Sequence, residues 1–215
     1  MTALRPVIVL GAGGHASVLI DALQQTGREI MGITDPDETL WNKDYLGIEV
    51  LGDDEKILDI HPDRIELVNG LGSVKTTSAR QKLFETWHNK GYSFASVIHP
   101  KAIVAPGVKT VEGVQILAGA IINPNVLIGA NSIVNTGAIL EHDCIIGNHV
   151  HIAPGVRMAG GVRVGDGAHI GIGCTILQNL ELGDGCVVGA GAVVLHSITT
   201  GETVVGVPAR PLKRS

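Results

Sequence analysis

Residues 116–146 read ILAGAIINPNVLIGANSIVNTGAILEHDCII, and every sixth residue is aliphatic: Ile116, Ile122, Ile128, Val134, Leu140 and Ile146. Outward from this stretch the column continues from Val104 to Val194, through Ile152, Met158, Val164, Ile170, Ile176, Leu182 and Val188. Thr110 is its only polar member among sixteen. Ile, Leu, Val and Met fill 69 of 215 positions, so fifteen such residues in sixteen are not an effect of composition. A second column two residues earlier holds only small or aliphatic residues, from Ala102 and Val108 to Cys186 and Ala192. Two residues is the strand period, so both columns face the same side. A six-residue period in a Gly-rich chain predicts a parallel β-helix. Residues 102–197 hold sixteen hexads without an insertion. At three hexads per coil that is about five coils, roughly 25 Å of strands stacked ~4.8 Å apart.

The rest of the chain differs in kind. Every Trp, Tyr and Phe lies at or before Phe94, whereas nineteen of 29 Gly follow residue 100. Residues 5–98 alternate strand and helix signals, which predicts a small parallel sheet covered by helices. Strands are expected at Val7–Leu10, Ile30–Thr34, Ile65–Val68 and Phe94–Ile98. Ala16, Leu19, Ile20 and Leu23 share one helix face, stopped by Gly27. A short helix is expected over Asp53–Ile60 with Asp53 as N-cap. A further helix carries Ala79, Leu83 and Trp87 on its inner face, with Gly91 beyond its end. The domains are therefore residues 1–99 and 100–215, hinged at His99-Pro100. The N-terminal domain is placed to cover one open end of the β-helix. The tail Gly206-Val207-Pro208-Ala209, with Arg210, Lys213 and Arg214, is placed to finish the other.

A net charge of −5 makes nucleic acid a poor partner. No apolar run approaches the ~20 residues needed to span a bilayer, and Val7–Leu10 is too short for a signal-peptide core. A cytoplasmic protein is expected. Cys144, Cys174 and Cys186 all occupy the small-residue column, which explains them as buried apolar residues on three different sides of the coil. They call for neither a metal nor a disulfide.

Gly11-Ala12-Gly13-Gly14-His15-Ala16 follows a strand and opens a helix, the arrangement that lets backbone N–H groups approach a phosphate. Asp35-Pro36 ends the next strand, where an acid meets ribose or base. Asn69-Gly70-Leu71-Gly72 forms a second turn at the same edge. The motif alone does not separate NAD from a nucleotide sugar. A domain of about 95 residues lacks the second half of a dinucleotide fold, which favours one nucleotide diphosphate.

The repeat carries one charged interruption. Glu141 is the only charged residue in the column one past the core position, and it opens Glu141-His142-Asp143. An imidazole flanked by acids is a candidate general base, because a nearby carboxylate raises its basicity and fixes its tautomer. His149 and His151 follow one hexad later, without ligand spacing for zinc.

These features together resemble the left-handed β-helix acyltransferases. The closer match is to the branch holding UDP-4-amino-sugar N-acetyltransferases of bacillosamine-type pathways and sialic acid O-acetyltransferase-like proteins. The residues that carry it are Gly-Ala-Gly-Gly-His at 11–15, Asp35-Pro36, Asn135-Thr136-Gly137-Ala138, Glu141-His142-Asp143, His151 and Gly206-Val207-Pro208-Ala209. The resemblance implies a Rossmann-like nucleotide-sugar domain on a left-handed β-helix, a homotrimer, and acetyl-CoA as co-substrate without a metal. It implies His142 as the base that deprotonates the 4-amine of a UDP-linked amino-dideoxy sugar, with Asp143 supporting it where the family commonly has Glu. Asn135 and His151 would position the thioester or the CoA. Backbone around Gly160, Ile172 and Gly189 would line a pantetheine groove between subunits. Gly13, Gly14, His15, Asp35, Pro36, Asn69 and Gly70 would hold the nucleotide sugar. Open alternatives are O-acetylation of a sugar such as sialic acid, a GDP- or dTDP-linked amino sugar, and a non-catalytic nucleotide-sugar-binding trimer.

Overall fold

The computed structural model describes residues 4–74 and 76–212. Lys213 and Arg214 of the expected tail lie outside them.

The N-terminal sheet contains β1 (Val7–Leu10), β2 (Ile30–Thr34), β3 (Asp44–Tyr45), β4 (Ile48–Gly52) and β5 (Glu66–Asn69), in the order β3-β4-β2-β1-β5. β2, β1, β5 and β4 run parallel, and β3 adds an antiparallel edge that the sequence pattern had not revealed. Between β1 and β2 lies α1 (Gly14–Gln25), burying Ala16, Leu19, Ile20 and Leu23 on its expected face. Residues 54–59 form a 3₁₀ turn rather than an α-helix, with Asp53 accepting from the Glu55 N–H as its cap. α2 (Ser78–Asn89) is rotated from the expected setting. It buries Arg80, Phe84 and Trp87, while Ala79 is exposed. Two aromatics outweigh the smaller Ala79 and Leu83 in deciding which face turns inward.

The second unit is a three-faced parallel β-helix. Strands pair with the strand 18 residues on, as in Ile122 with Leu140 and Val134 with Ile152, so each hexad is one face. The first face stacks six strands, from Ile103–Val104 to Val193–Val194. The second stacks five, from Lys109–Thr110 to Glu181–Leu182. The third begins with Val97–Ile98, which pairs with Gln115–Ile116. The β-helix therefore starts two residues before the expected hinge. Phe94 makes a single parallel bridge to Leu67, so the segment expected as one strand leaves the sheet and enters the solenoid.

From Ile116 to Val194 the aliphatic column is buried, each member no more than 3% exposed, in one continuous core. A fully buried side chain of this size contributes about 1.5–3 kcal/mol. Thr110 is exposed because its strand is the edge of the second face, where no coil lies above it. A polar edge also discourages pairing with a second sheet. At the far end Arg210–Pro211 folds back antiparallel on Thr203–Val205, and Ala209 packs on the core, closing the solenoid as the tail motif implied.

Each corner needs one residue in the left-handed region, and the repeat supplies it every sixth position from Gly107 to Gly191. Of these fifteen positions thirteen are Gly or Asn; the exceptions are Asp143 (φ 63°) and His149 (φ 57°). Only Gly, and to a lesser degree Asn or Asp, reaches this region cheaply.

The N-terminal unit packs along the third face and the corner before it, rather than only on an open end. Leu117 enters its core beside Val97 and α1, and Phe84 meets His149 edge-on.

Candidate active site

His142 and Asp143 occupy the corner between the first and second faces. His142 Nδ1 lies 2.7 Å from Asp143 Oδ2, and Asn125 of the coil above donates to Asp143 Oδ1 at 3.0 Å. Those two bonds hold the Asp143 carboxyl below the usual carboxylate range. The left-handed backbone at 143 brings the carboxylate to the preceding imidazole, so the acid is Asp143. Glu141 instead accepts from Asn123 Nδ2 at 2.9 Å. With Nδ1 donating to Asp143, the lone pair sits on Nε2. The ring rests on Gly160: a Cβ there would lie 2.7 Å from both Nε2 and Cε1. Both side chains are more than half exposed. An outward-facing Nε2 lone pair, backed by a carboxylate, is chemically able to accept a proton from a bound nucleophile.

The remaining residues expected to meet CoA lie elsewhere, Gly160 excepted. His151 faces out from the third face, and Asn135, Ile172 and Gly189 lie on the corner between the third and first faces. Asn135 Nδ2 is 3.2 Å from His151 Nε2. Ile172 is 56% exposed. His151 is buried under Ser73 and His169, and desolvation foremost pushes its pKa down to about 3. In one chain the corner with His142 stands opposite the third face. The two groups are thus separated by about one hexad edge, roughly 20 Å at ~3.3 Å per residue.

At the C-terminal edge of the parallel sheet, Gly13 and Gly14 open α1 with no atom near the place a Cβ would take. No side chain caps this helix start, so its first N–H groups are available to an anion. Asp35 accepts from the Ala12 N–H at 2.7 Å and from the Asp37 N–H at 2.9 Å, which ties the Asp35-Pro36 turn to the glycine turn. Gly70 packs tightly, for a Cβ there would sit 2.5 Å from Leu10 O. Asn69 is buried and fully engaged: Nδ2 donates to Arg80 O and Asn131 Oδ1, and Oδ1 accepts from the Leu71 N–H. These two residues are thus fixed parts of the turn that follows β5. His15 Nε2 lies 2.7 Å from Gln115 Oε1, and burial pushes the imidazole down to about 4.

The sequence reading missed Gln115, Arg80 and Ser73. Gln115, 1% exposed, joins His15 to Asn69 O across the domain seam. Arg80, also 1% exposed, holds the carbonyls of Asn69, Leu71 and Asn131. Its pKa falls to about 9 by desolvation. The left-handed column did hold a usable signal, because Asp143 departs from its Gly/Asn rule. Among the described residues no group of three or more His, Cys, Asp or Glu is placed to hold a metal ion. No helix there is long and apolar enough to cross a membrane. The three cysteines are free and buried.

Residues 6–87 match the family model described as PglD N-terminal domain, and residues 125–160 and 161–196 match bacterial transferase hexapeptide (six repeats). No curated relative matches. Among solved structures, perosamine N-acetyltransferase from Caulobacter crescentus is 35% identical, with 99% of each chain covered and a TM-score of 0.90. That structure and a companion carry a histidine replaced by asparagine or alanine, each in complex with CoA and GDP-perosamine. The acetyltransferase domain of PglB from Neisseria gonorrhoeae, in complex with acetyl coenzyme A, is 30% identical over 98% of this chain and 100% of that one, TM-score 0.89. WeeI from Acinetobacter baumannii is 27% identical over 97% and 100%, TM-score 0.85. The fold and these similarities define a hexapeptide-repeat acetyltransferase. The chain belongs to the left-handed β-helix family of acetyl-CoA-dependent sugar N-acetyltransferases.

Proposed function

We propose that this protein transfers acetyl from acetyl-CoA to the 4-amine of a nucleotide-linked amino-dideoxy sugar. The observation that carries this reading is the His142–Asp143 pair, with Nε2 open above Gly160, on a scaffold that also holds an uncapped helix start opened by Gly13 and Gly14. His142 Nε2 takes the proton from the amine as its nitrogen attacks the thioester carbonyl. Collapse of the tetrahedral adduct gives the acetamide and releases CoA as the thiolate. A backbone N–H aimed at the thioester oxygen would stabilise the developing oxyanion. No cysteine serves as nucleophile, since burial raises the pKa of all three thiols. The histidine-substituted relatives bound to CoA and GDP-perosamine support a histidine at the centre of the chemistry.

Gly13, Gly14, His15, Asp35 and Pro36 hold the nucleotide sugar, with Asn69 and Gly70 shaping the turn after β5. Asn135, His151, Ile172 and Gly189 meet the acetyl-CoA of one subunit's corner, while His142, Asp143 and Gly160 come from another. The opposite placement of the two groups in one chain supports a cyclic homotrimer with sites between subunits. The reading keeps the expected cytoplasmic location. UDP is the nucleotide of the bacillosamine-type branch; the relative bound to GDP-perosamine favours GDP as the second reading.

The test is thiol release from acetyl-CoA with UDP- and GDP-linked 4-amino-4,6-dideoxy sugars and with free sialic acid. Fast release with either nucleotide sugar is expected. Release only with sialic acid would replace N- by O-acetylation, and none with any acceptor would favour a non-catalytic binding trimer.

A further inference from the structure

The turn after β5 meets the β-helix through Ser73, which the mechanism above does not use. Ser73 Oγ is hydrogen bonded to His151 Nδ1. The direction of that bond is fixed from the far side of the ring. Asn135 Oδ1 accepts from the Thr136 N–H at 2.7 Å, so the amide turns its Nδ2 toward His151 Nε2. Nδ2 only donates; Nε2 therefore accepts, and the ring proton sits on Nδ1. His151 donates to Ser73 Oγ, and the hydroxyl hydrogen of Ser73 is left for another acceptor.

A parallel chain orients His15. Gln115 Nε2 donates to Asn69 O at 2.8 Å, which turns Oε1 to His15 Nε2. His15 is therefore protonated at Nε2 and offers Nδ1 as an acceptor. Ser73 is close by, since a Cβ on Gly72 would sit 3.2 Å from His15 Cβ in the first turn of α1. The same turn is held by Arg80, whose Nη2 is buried with no hydrogen-bond partner among the described residues. Among them, no acidic side chain forms a salt bridge with this guanidinium. A buried, uncompensated cation beneath the turn suits an anion above it.

We propose that Ser73 donates a hydrogen bond to a diphosphate oxygen of the nucleotide sugar, its donor direction set by the chain Thr136–Asn135–His151. Phosphate oxygens only accept, which matches Ser73; the Nδ1 of His15 then takes a ligand hydroxyl. This rests on the nucleotide-sugar reading of the helix start. Its consequence is that Asn135, a residue of the acetyl-group side, controls a bond on the nucleotide side.

The experiment is calorimetric titration of wild type, Ser73→Ala, Ser73→Thr, Asn135→Asp and the Ser73→Ala/Asn135→Asp double variant with UDP, GDP and CoA. Thermal melting checks each fold. Ser73→Ala should weaken the better nucleotide about 10-fold, the scale of one hydrogen bond to a charged group, and leave CoA unchanged. Ser73→Thr should restore binding. A carboxylate at 135 draws the proton to His151 Nε2, so Nδ1 consumes the Ser73 hydrogen, and the nucleotide weakens similarly. The double variant should then be no worse than Asn135→Asp alone. Equal nucleotide binding by Ser73→Ala and wild type, no rescue by Thr, or additive losses in the double variant would overturn the proposal alone. Wild type binding neither UDP nor GDP would remove the nucleotide reading and this proposal together.

Discussion

At the residue scale the proposed chemistry rests on His142 and Asp143, and the backbone shows what the acid costs. Asp143 takes a left-handed conformation that Gly or Asn holds at thirteen equivalent corners. Asp143→Gly removes both the acid and the strain, which is about 1 kcal/mol for a side chain in this region. Melting should stay level or rise while kcat falls at least about 10-fold. A stability loss with normal kcat would make Asp143 structural. His142→Ala should lower kcat by ~10²–10⁴-fold with the fold intact, the usual range for a missing general base. Near-normal turnover would remove His142 from the mechanism. Gly160→Ala places a methyl against the imidazole, where 2.7 Å is too close for both to stay. It should reduce kcat without changing nucleotide affinity; unchanged kcat would show that the ring does not need its seat.

The elements differ in how openly the sequence declares them. The β-helix was legible because one local rule is repeated sixteen times, and α1 because its apolar residues share one stripe. The domain seam was not. Gln115 stands at an outward strand position that reads as solvent-facing until β5 docks over it. Arg80 reads as a surface residue of α2 until Phe84 and Trp87 turn it inward. Arg80 shares the helical spacing of Phe84 and Trp87, but neither it nor Gln115 is apolar, so no hydrophobic pattern marks them. Docking partners distant in sequence leave no local signal. The seam also makes stability depend on pH. His15 and His151 titrate near 4 and 3 when folded, against 6.5 for an ordinary histidine. Below about pH 6.5 the unfolded chain binds protons that the folded chain refuses, so stability falls as pH drops from there toward 4. Melting temperature should decline across that window, and Gln115→Leu, which leaves His15 without its acceptor, should lower the whole curve. A flat melting profile between pH 6.5 and 4 would show that the two rings are not held neutral.

At the scale of the whole molecule, the proposed function divides the site of one chain into two halves on opposite sides of a prism. The third face and its flanking corner carry the nucleotide domain, His151 and Asn135, and the opposite corner carries His142. A ring of three identical chains brings unlike surfaces together at each interface, which is what two complementary half-sites require. The decisive measurement is complementation between His142→Ala and Asp35→Ala, co-expressed with different tags and purified through both. Each variant alone should be nearly inactive in thiol release. In mixed trimers about one interface in three pairs an intact His142 with an intact Asp35, so activity should recover toward that fraction. Mixed trimers as inactive as either parent would contradict a site shared between chains.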